Sequence, residues 1–450
     1  ITTCNLTNIA WTNNIGKTYI KYAIYSLLEN LIKTNTIKIE NQKIDELNKT
    51  GFTKIDLNYH IKDIDSIIKK FSEEFSKKIA YYFNTNEENF SKTKIDFEFK
   101  EFNCELDDEF IVNILIGQND TVKSFKNKNS PIIEYYLKKV SDNKIPDGLL
   151  SDILSRTISS VLFKKLIKRP FIITSERTGI SLFYKELDFT KSRILDLFSK
   201  EKKPNLFEIL DTYRAKYAEP IKENIDIIRD FENIQKFKSF IVKNHKEEFT
   251  NISNKFTKIL NGSYKFINNQ IQFQTKPEKG RKAIKIPLYI TSSAIKSLYL
   301  FDLYVKSIAR PNDILMIDEP ELNLHPTNQI IMARILANIV NLGVDVIIIT
   351  HSDYIIKEFN NLIMLSNDFS EKMRIIKSNK YDQMDILKPE KVKAYFIEKH
   401  QIFEAKVDSI GIKLKLFDDT INNINRISDD IYYSLGSWYE RTNWKIKDYY

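Results

Sequence analysis

Apolar and polar positions recur along the chain with distinct periods, and each period predicts an element. A short strand is expected at residues 5–10, followed by the polar stretch "NIAWTNNIGKTY" (residues 8–19). A helix then runs from Lys17, with apolar residues at Ile20, Ala23, Ile24, Leu27, Leu28 and Leu31, the three- and four-residue steps of one helical face. Residues 35–100 mix strand-like alternation, "TIKIE" and "KIDFEFKEF", with a helix at 64–82, and another strand follows at 110–116. From about Ile145 the pattern is helical, interrupted at 169–188 by "RPFIITSERTGISLFYKELD". Between Phe231 and Leu260 apolar residues fall at 231, 234, 237, 241, 249, 252, 256 and 259, which predicts one helix about 45 Å long. It would stop at Asn261-Gly262, a favourable C-terminal cap. Such a helix suits either a packed helical lobe or a protruding coiled-coil arm.

A hairpin is expected at 264–290 with "KPEKGRK" as its turn, then a helix at 292–307, a strand at 313–317, a helix at 327–342, a strand at 344–350 and a final mixed segment. No repeat of fixed period and no Pro- or Gly-rich linker is visible. The alternation predicts an α/β fold split by a mainly helical insertion.

Composition narrows the class. The 450 residues are 42 % hydrophobic, 12 % aromatic and 29 % charged, as in a folded globular protein. The formal charge of +9 is compatible with an anionic polymer as partner, because Lys and Arg neutralise phosphates. Lys, Ile and Asn are abundant throughout, however, so composition bias accounts for part of that charge. Cys4 and Cys104 are the only cysteines, with no CxxC or Cys/His cluster, which supports neither a disulfide framework nor a zinc site. The longest apolar runs, "FIVNILIG" and "VDVIIIT", fall far short of the roughly 20 residues that span a bilayer. A soluble, cytoplasmic protein without membrane partners is expected. The chain starts at Ile1 without Met, just ahead of the polar loop, so a further N-terminal strand or two is expected before it.

The strongest chemical signal is "DILMIDEPELNLHP" (residues 313–326). Its apolar residues form a buried strand that delivers Asp318 and Glu319 at the carboxyl end, where open α/β sheets place their ligands. An acid there can hold magnesium through water, and a second directly after it can orient or deprotonate an attacking water. The bland alternative is an acidic turn capping the next helix. Some thirty residues on, "VDVIIITHSDYI" (344–355) ends a second apolar strand in Thr350-His351-Ser352, where a histidine is well placed to hydrogen-bond a γ-phosphate. The opening strand, loop and helix supply the context that a phosphate-binding loop requires.

Together these segments resemble the ATP-binding-cassette class, which includes the SMC and double-strand-break repair ATPases. "IDEPELNLHP" with "ITHS" is more closely similar to the AAA15-type branch that contains the OLD family and related phage-defence ATPases. The resemblance is sharp over residues 5–30 and 285–365 and extends to "PFIITSERTGISLFYKELD". It implies an ABC-type P-loop ATPase core in two parts, residues 1–140 and 263–370, with a helical insertion at 141–262 and a small C-terminal extension at 371–450. It further implies that Asn13, Asn14, Gly16, Lys17 and Thr18 form the phosphate loop, with Lys17 on the β- and γ-phosphates of ATP and Thr18 on Mg2+. Asp318 becomes the magnesium-organising acid, Glu319 the catalytic base and His351 the switch histidine, while "LNLHP" (322–326) matches the loop that crosses to a partner subunit.

The class also uses a signature segment that reaches the ATP held by an opposite subunit. Its match is "ITSSAIKSL" (290–298), with Ser292 and Ser293 at a helix start, Lys296 one turn later, and Ala294 in place of the usual glycine. Free N–H groups at such a start favour phosphate. The implied unit is a homo-oligomer, an ATP-sandwiched dimer or higher.

Trp11 stands where G-x-x-x-x-G-K-[ST] has its first glycine, which lets the loop leave its strand without a side chain in the way. Either the loop is degenerate or the indole turns to solvent or to the adenine. With the catalytic acid and the other parts present, a live, slow ATPase is expected. Glu176 and Arg177 either sense the γ-phosphate or form a buried ion pair. The basic runs "FKKLIKR" (163–169) and "KPEKGRKAIK" (276–285) either touch nucleic acid or are solvated faces. His60, His245 and His400 have no partner spacing.

The branch often carries or recruits a nuclease, commonly a TOPRIM domain. The residues after His351 hold too few clustered acids for one, and "VKAYFIEKHQIFEAKVDSIGIKLKLFDD" (392–419) reads as two or three strands and a turn. A separate effector or nuclease subunit is therefore expected, as in PARIS- or Septu-type defence systems, with nucleic acid or a phage protein as a further partner. The competing readings are a catalytically impaired ATP-binding scaffold and a DNA repair or chromosome-maintenance ATPase.

Overall fold

The computed structural model describes residues 4–11, 17–99, 106–116, 120–139, 145–163, 167–183, 217–267, 270–277, 282–398, 401–413 and 423–434. Its chain divides into two units, one of residues 1–15, 238–308 and 317–450, the other of residues 16–237 and 309–316.

The first unit is built on a mainly parallel sheet. Its strands run in the order Gln401–Ala405, Val392–Glu398, Leu6–Trp11, Asp345–Thr350 and then the end of Asp313–Asp318. Leu6–Trp11 pairs in parallel with both neighbours, with Leu6 opposite Val346 and Val392. Every residue of Asp313–Asp318 and of Asp345–Thr350 is buried, which explains why these strands read as continuous apolar runs: both faces are covered. The helices Pro326–Asn341 and Asp353–Met364 pack on each other, tied by Arg334 Nε donating to Glu358 at 2.6 Å. On Pro326–Asn341 also lies Lys246–Leu260, where Lys255 Nζ donates to Asp385 at 2.7 Å and to Asn338 at 2.9 Å. Asp385 is fully buried, so removing Lys255 would strand its charge, at a cost of about 3–5 kcal/mol.

The single helix expected over residues 231–260 is instead three pieces, Phe231–Ile234, Phe240–Asn244 and Lys246–Leu260. Ser239 caps the second piece by accepting from Val242 N–H at 3.2 Å, and its hydroxyl donates to the Val305 carbonyl at 2.6 Å. His245 breaks it again at φ −130°, ψ 62°. The apolar stripe still reports burial, since Ile241, Ile252 and Phe256 are all core, but burial periodicity carries no information about continuity. The expected terminus holds: Asn261 adopts the left-handed conformation at φ 52°. Gly262 follows, and a Cβ there would run into the Phe273 ring and the Gln274 carbonyl.

Where one hairpin was expected, Gly262–Ile267, Gln270–Thr275 and Lys285–Pro287 form a three-stranded antiparallel sheet. The helix Ser293–Leu303 follows and widens into a π-turn at Tyr304–Ile308. The C-terminal segment expected as strands contains Val392–Glu398 and Gln401–Ala405, an antiparallel pair that joins the main sheet.

The second unit holds a four-stranded antiparallel sheet in the order Phe52–Asp56, Ile132–Lys138, Asp120–Lys126, Phe110–Ile116. It shares an apolar core with the helices Lys17–Ile32, Ile64–Tyr82 and Asp147–Phe163. "TIKIE" and the described part of "KIDFEFKEF" are not strands. In the latter, Ile95, Phe97 and Phe99 dock individually on the core, and Ser76 Oγ accepts from Ile95 N–H at 2.9 Å; side-chain contacts satisfy the alternation without a sheet partner. The strand Arg169–Ile173 lies beside the start of Asp313–Asp318, held by a bidentate pair from Arg169 to the buried Asp313 at 2.9 and 2.6 Å. Among the described residues no helix is long and apolar enough to cross a membrane.

Candidate nucleotide site

The strand Asp313–Asp318 ends in the buried Asp318, and the chain turns sharply there. Glu319 adopts φ 48°, a left-handed conformation that costs a non-glycine residue of order 1 kcal/mol and concentrates at functional sites. The turn is held from both sides: Glu319 N–H donates to the Ile349 carbonyl at 2.8 Å, and Leu322 N–H to the Glu319 carbonyl at 2.9 Å. Asn323 is left-handed as well, at φ 61°. The "LNLHP" loop is then pinned by Ser297 Oγ donating to the Leu322 carbonyl at 3.2 Å and Gln329 to the Leu324 carbonyl at 2.8 Å.

Next to this turn, Asp345–Thr350 delivers His351, and Glu321 joins the two strand ends. Its carboxylate accepts from Thr350 Oγ1 at 2.8 Å and from His351 N–H at 2.7 Å. Thr350 is fully buried, and its oxygen also accepts from Ser352 N–H at 3.0 Å. Ser352 in turn donates to Gln329 at 2.6 Å and caps the following helix. The acidic turn and the histidine turn are thus one hydrogen-bonded cluster centred on Glu321. That role for Glu321 escapes a sequence reading, although the second glutamate of "DEPE" is the signal that points to it.

The strand Leu6–Trp11 ends at the same edge, with Ala10 opposite Thr350 and Trp11 opposite Ile397. The strand before the phosphate loop and the helix Lys17–Ile32 after it are both as expected. Asn13, Asn14 and Gly16 lie outside the described residues, as do the side chains of Trp11 and Lys17. Thr18 is exposed in the first turn of that helix. Ser292 is the N-cap of Ser293–Leu303, its Oγ accepting from Ile295 N–H at 3.4 Å, and both Ser292 and Ser293 are exposed.

Among the described residues no group of three His, Cys, Asp or Glu side chains is arranged to hold a metal ion. Asp318 carries a carboxylate and Thr18 a hydroxyl, oxygen groups of the chemical type that Mg2+ takes alongside water and phosphate oxygens.

The remaining candidates separate. Arg177 is buried and donates to the Thr174 carbonyl at 3.0 Å, while Glu176 accepts from Tyr22 of the phosphate-loop helix at 3.2 Å. Residues 164–166 and 278–281 of the two basic runs, and His400, lie outside the described residues. His60 is buried, and burial lowers its pKa. One feature went unseen in the sequence. Between the helices Lys17–Ile32 and Glu219–Arg229 lies a cleft of about 440 Å³ lined by Tyr25, Glu29, Lys33, Glu219, Lys222 and Glu223. Burial there, with Asp226 adding its charge, pushes the Glu223 carboxyl up to about 7.

No curated protein matches the chain. Among solved structures it is similar to an Smc head bound to the C-terminal winged-helix domain of ScpA, at 12 % identity, 88 % of this chain and 89 % of that one, with a TM-score of 0.31. It is similar to an Smc head with an extended coiled coil bound to the C-terminal domain of ScpA from Pyrococcus furiosus, at 13 % identity, 94 % and 93 % coverage and a TM-score of 0.28. The SMC head from Thermotoga maritima aligns at 12 % identity over 91 % and 92 % of the two chains, with a TM-score of 0.28. A family model, AAA_15, the AAA ATPase domain, matches residues 4–356, from the phosphate-loop strand to the helix after His351, and the chain belongs to that family.

Proposed function

We propose that the chain binds ATP with Mg2+ and hydrolyses it in a site completed by a second copy, and that this cycle switches a separate effector, a nuclease, in antiviral defence. The observation that carries the chemistry is the Glu321-centred cluster, which sets an acid pair and a histidine side by side at one strand edge. In this reading the Lys17 ammonium binds the β- and γ-phosphates, with the backbone of Asn13, Asn14 and Gly16 around them. Asp318 and Thr18 would hold the ion, which when bound would draw charge from the phosphate oxygens. Glu319 takes the proton of the attacking water, and the left-handed turn fixes the direction of its side chain. His351 donates to the γ-phosphate, its backbone held by Glu321. The exposed Ser292 and Ser293, at a helix N-terminus, face the phosphate of a neighbouring copy. The effector and the defence role are supported by the resemblance of "IDEPELNLHP" and "ITHS" to defence ATPases.

The test is Glu319→Gln, which keeps size and hydrogen-bonding atoms but cannot take a proton. ATP should bind, turnover should fall by about 10²-fold or more, and the ATP-bound assembly should accumulate. Unchanged hydrolysis would remove Glu319 from the mechanism.

A further inference from the structure

The four-stranded sheet of the second unit has two edges of opposite character. The strand Phe52–Asp56 carries Lys54 and Asp56, and Lys54 pairs with Glu134 at 3.0 Å. Charges on an edge strand are the usual protection against pairing with another chain. The strand Phe110–Ile116, "FIVNILI", has no such protection. It contains no charge and no proline, and its only ladder among the described residues is with Asp120–Lys126. Three of its apolar side chains face solvent, Ile111 at 53 %, Val112 at 40 % and Leu115 at 65 %, and Asn113 is exposed among them.

We propose that this strand is a homotypic docking edge, on which a second copy of the chain lays its own Phe110–Ile116 antiparallel about a two-fold axis at Asn113. The strand is self-complementary in that register. Phe110 meets Ile116, Ile111 meets Leu115, Val112 meets Ile114, and Asn113, the only polar residue, meets itself. Cross-strand apolar pairs of this kind are the unit of sheet stabilisation, and the two sheets become one. Residues flanking the strand specify the register. Asp107, Asp108 and Glu109 precede it and are exposed, and moving the axis one residue back, to Val112, would set Glu109 against Leu115 and Asp108 against Ile116. The chain entering the strand is also anchored, because the buried Lys126 donates to the carbonyls of Leu106 and of Asp108, the latter at 2.7 Å. This contact is independent of nucleotide.

The test uses the full chain with Cys4 and Cys104 replaced by serine and no nucleotide present. Opposed residues of an antiparallel pair have Cα atoms about 4.5–5.5 Å apart, within disulfide reach. Asn113→Cys should therefore cross-link to a dimer under mild oxidation. Ile111→Cys alone and Leu115→Cys alone should not, while a mixture of the two should. By sedimentation, Leu115→Lys should weaken the dimer at least tenfold with unchanged circular dichroism, and Lys17→Ala should leave it intact. Three results would overturn the proposal: a wild-type chain that sediments as a monomer without nucleotide, equal cross-linking by Ile111→Cys alone and Asn113→Cys, or a dimer indifferent to Leu115→Lys. The cross-linking arm stands even where the lysine variant fails to fold.

Discussion

Glu321 is the residue that joins the acidic turn to the histidine turn, and its removal gives the sharpest test of how the candidate site is held. Its carboxylate accepts one hydrogen bond from a hydroxyl and one from a backbone N–H, at 2.8 and 2.7 Å. A hydrogen bond to a charged group contributes about 1.5–3 kcal/mol net, and a buried donor left unsatisfied costs a similar amount. Glu321→Ala strands both the buried Thr350 hydroxyl and the His351 N–H, with water able to reach the half-buried side. The expected loss is about 2–4 kcal/mol of stability. Glu321→Gln is milder, at about 1 kcal/mol. Its oxygen can still serve His351, but its amide must then donate to a Thr350 oxygen that already accepts from Ser352. Urea unfolding measures the stability and steady-state ATPase the chemistry. Turnover should fall in the Ala variant with little change in the KM for ATP, because Glu321 acts on the position of His351 and not on substrate. In a cycle with Thr350→Val the two changes should couple by about 1 kcal/mol. A Glu321→Ala protein with wild-type urea midpoint and wild-type turnover would refute the clamp.

Glu223 gives a pH prediction of definite sign. Its folded pKa of about 7 lies above the ordinary 4.5, so the folded state retains a proton that the unfolded state has lost, and stability falls as pH rises from about 4.5 to about 7. Glu223→Gln should remove that slope and raise stability at pH 8 by about 2–3 kcal/mol in thermal or urea unfolding; an unchanged pH profile would show the carboxyl to be solvated. Lys17→Ala should abolish ATP binding, measured by calorimetry, because the loop loses its cation for the phosphates. Trp11→Gly should preserve or improve binding, and a several-fold loss would make the indole a nucleotide contact. A Ser292→Ala, Ser293→Ala double variant should bind ATP but not hydrolyse it, and mixing it with Lys17→Ala protein should restore part of the activity once subunit exchange is shown by differential tagging. Full hydrolysis by the double variant as a dilute monomer would leave the sandwich without support.

What could be read from the sequence follows from how local each cause is. The strands Asp313–Asp318 and Asp345–Thr350 were legible because burial on both faces fills their interiors, residues 314–317 and 346–349, with unbroken apolar runs. Asp318, Glu319 and His351 were legible because they stand where those runs stop. The break at Ser239 was not, because the hydroxyl's partner is the Val305 carbonyl, 66 residues away. Nor was the helix Asn41–Thr50, whose few buried residues, Ile44, Leu47 and Asn48, leave too short a stripe. The function of Glu321 was hidden for the same reason as the Ser239 break: its carboxylate acts on a strand end 29 and 30 residues further on.

The place of Leu6–Trp11 between Asp345–Thr350 and Val392–Glu398 has a consequence for the chain as it is made. Asn5 donates to Asp345 across 340 residues, and the Cys4 thiol to the Glu390 carbonyl across 386. Both neighbours of this buried strand are synthesised long after it. At about 5–20 residues per second, translation leaves it waiting on the order of 20–80 s. Until then Leu6 and Ile9, fully buried in the finished sheet, have no native cover. The antiparallel sheet of the second unit closes over less than a hundred residues, between Phe52 and Lys138, and can form on the ribosome first. Completion of the sheet around Leu6–Trp11 therefore waits until Val392–Glu398 has been made, and loss of Val392–Glu398 would leave Leu6–Trp11 with one open edge for as long as the protein exists.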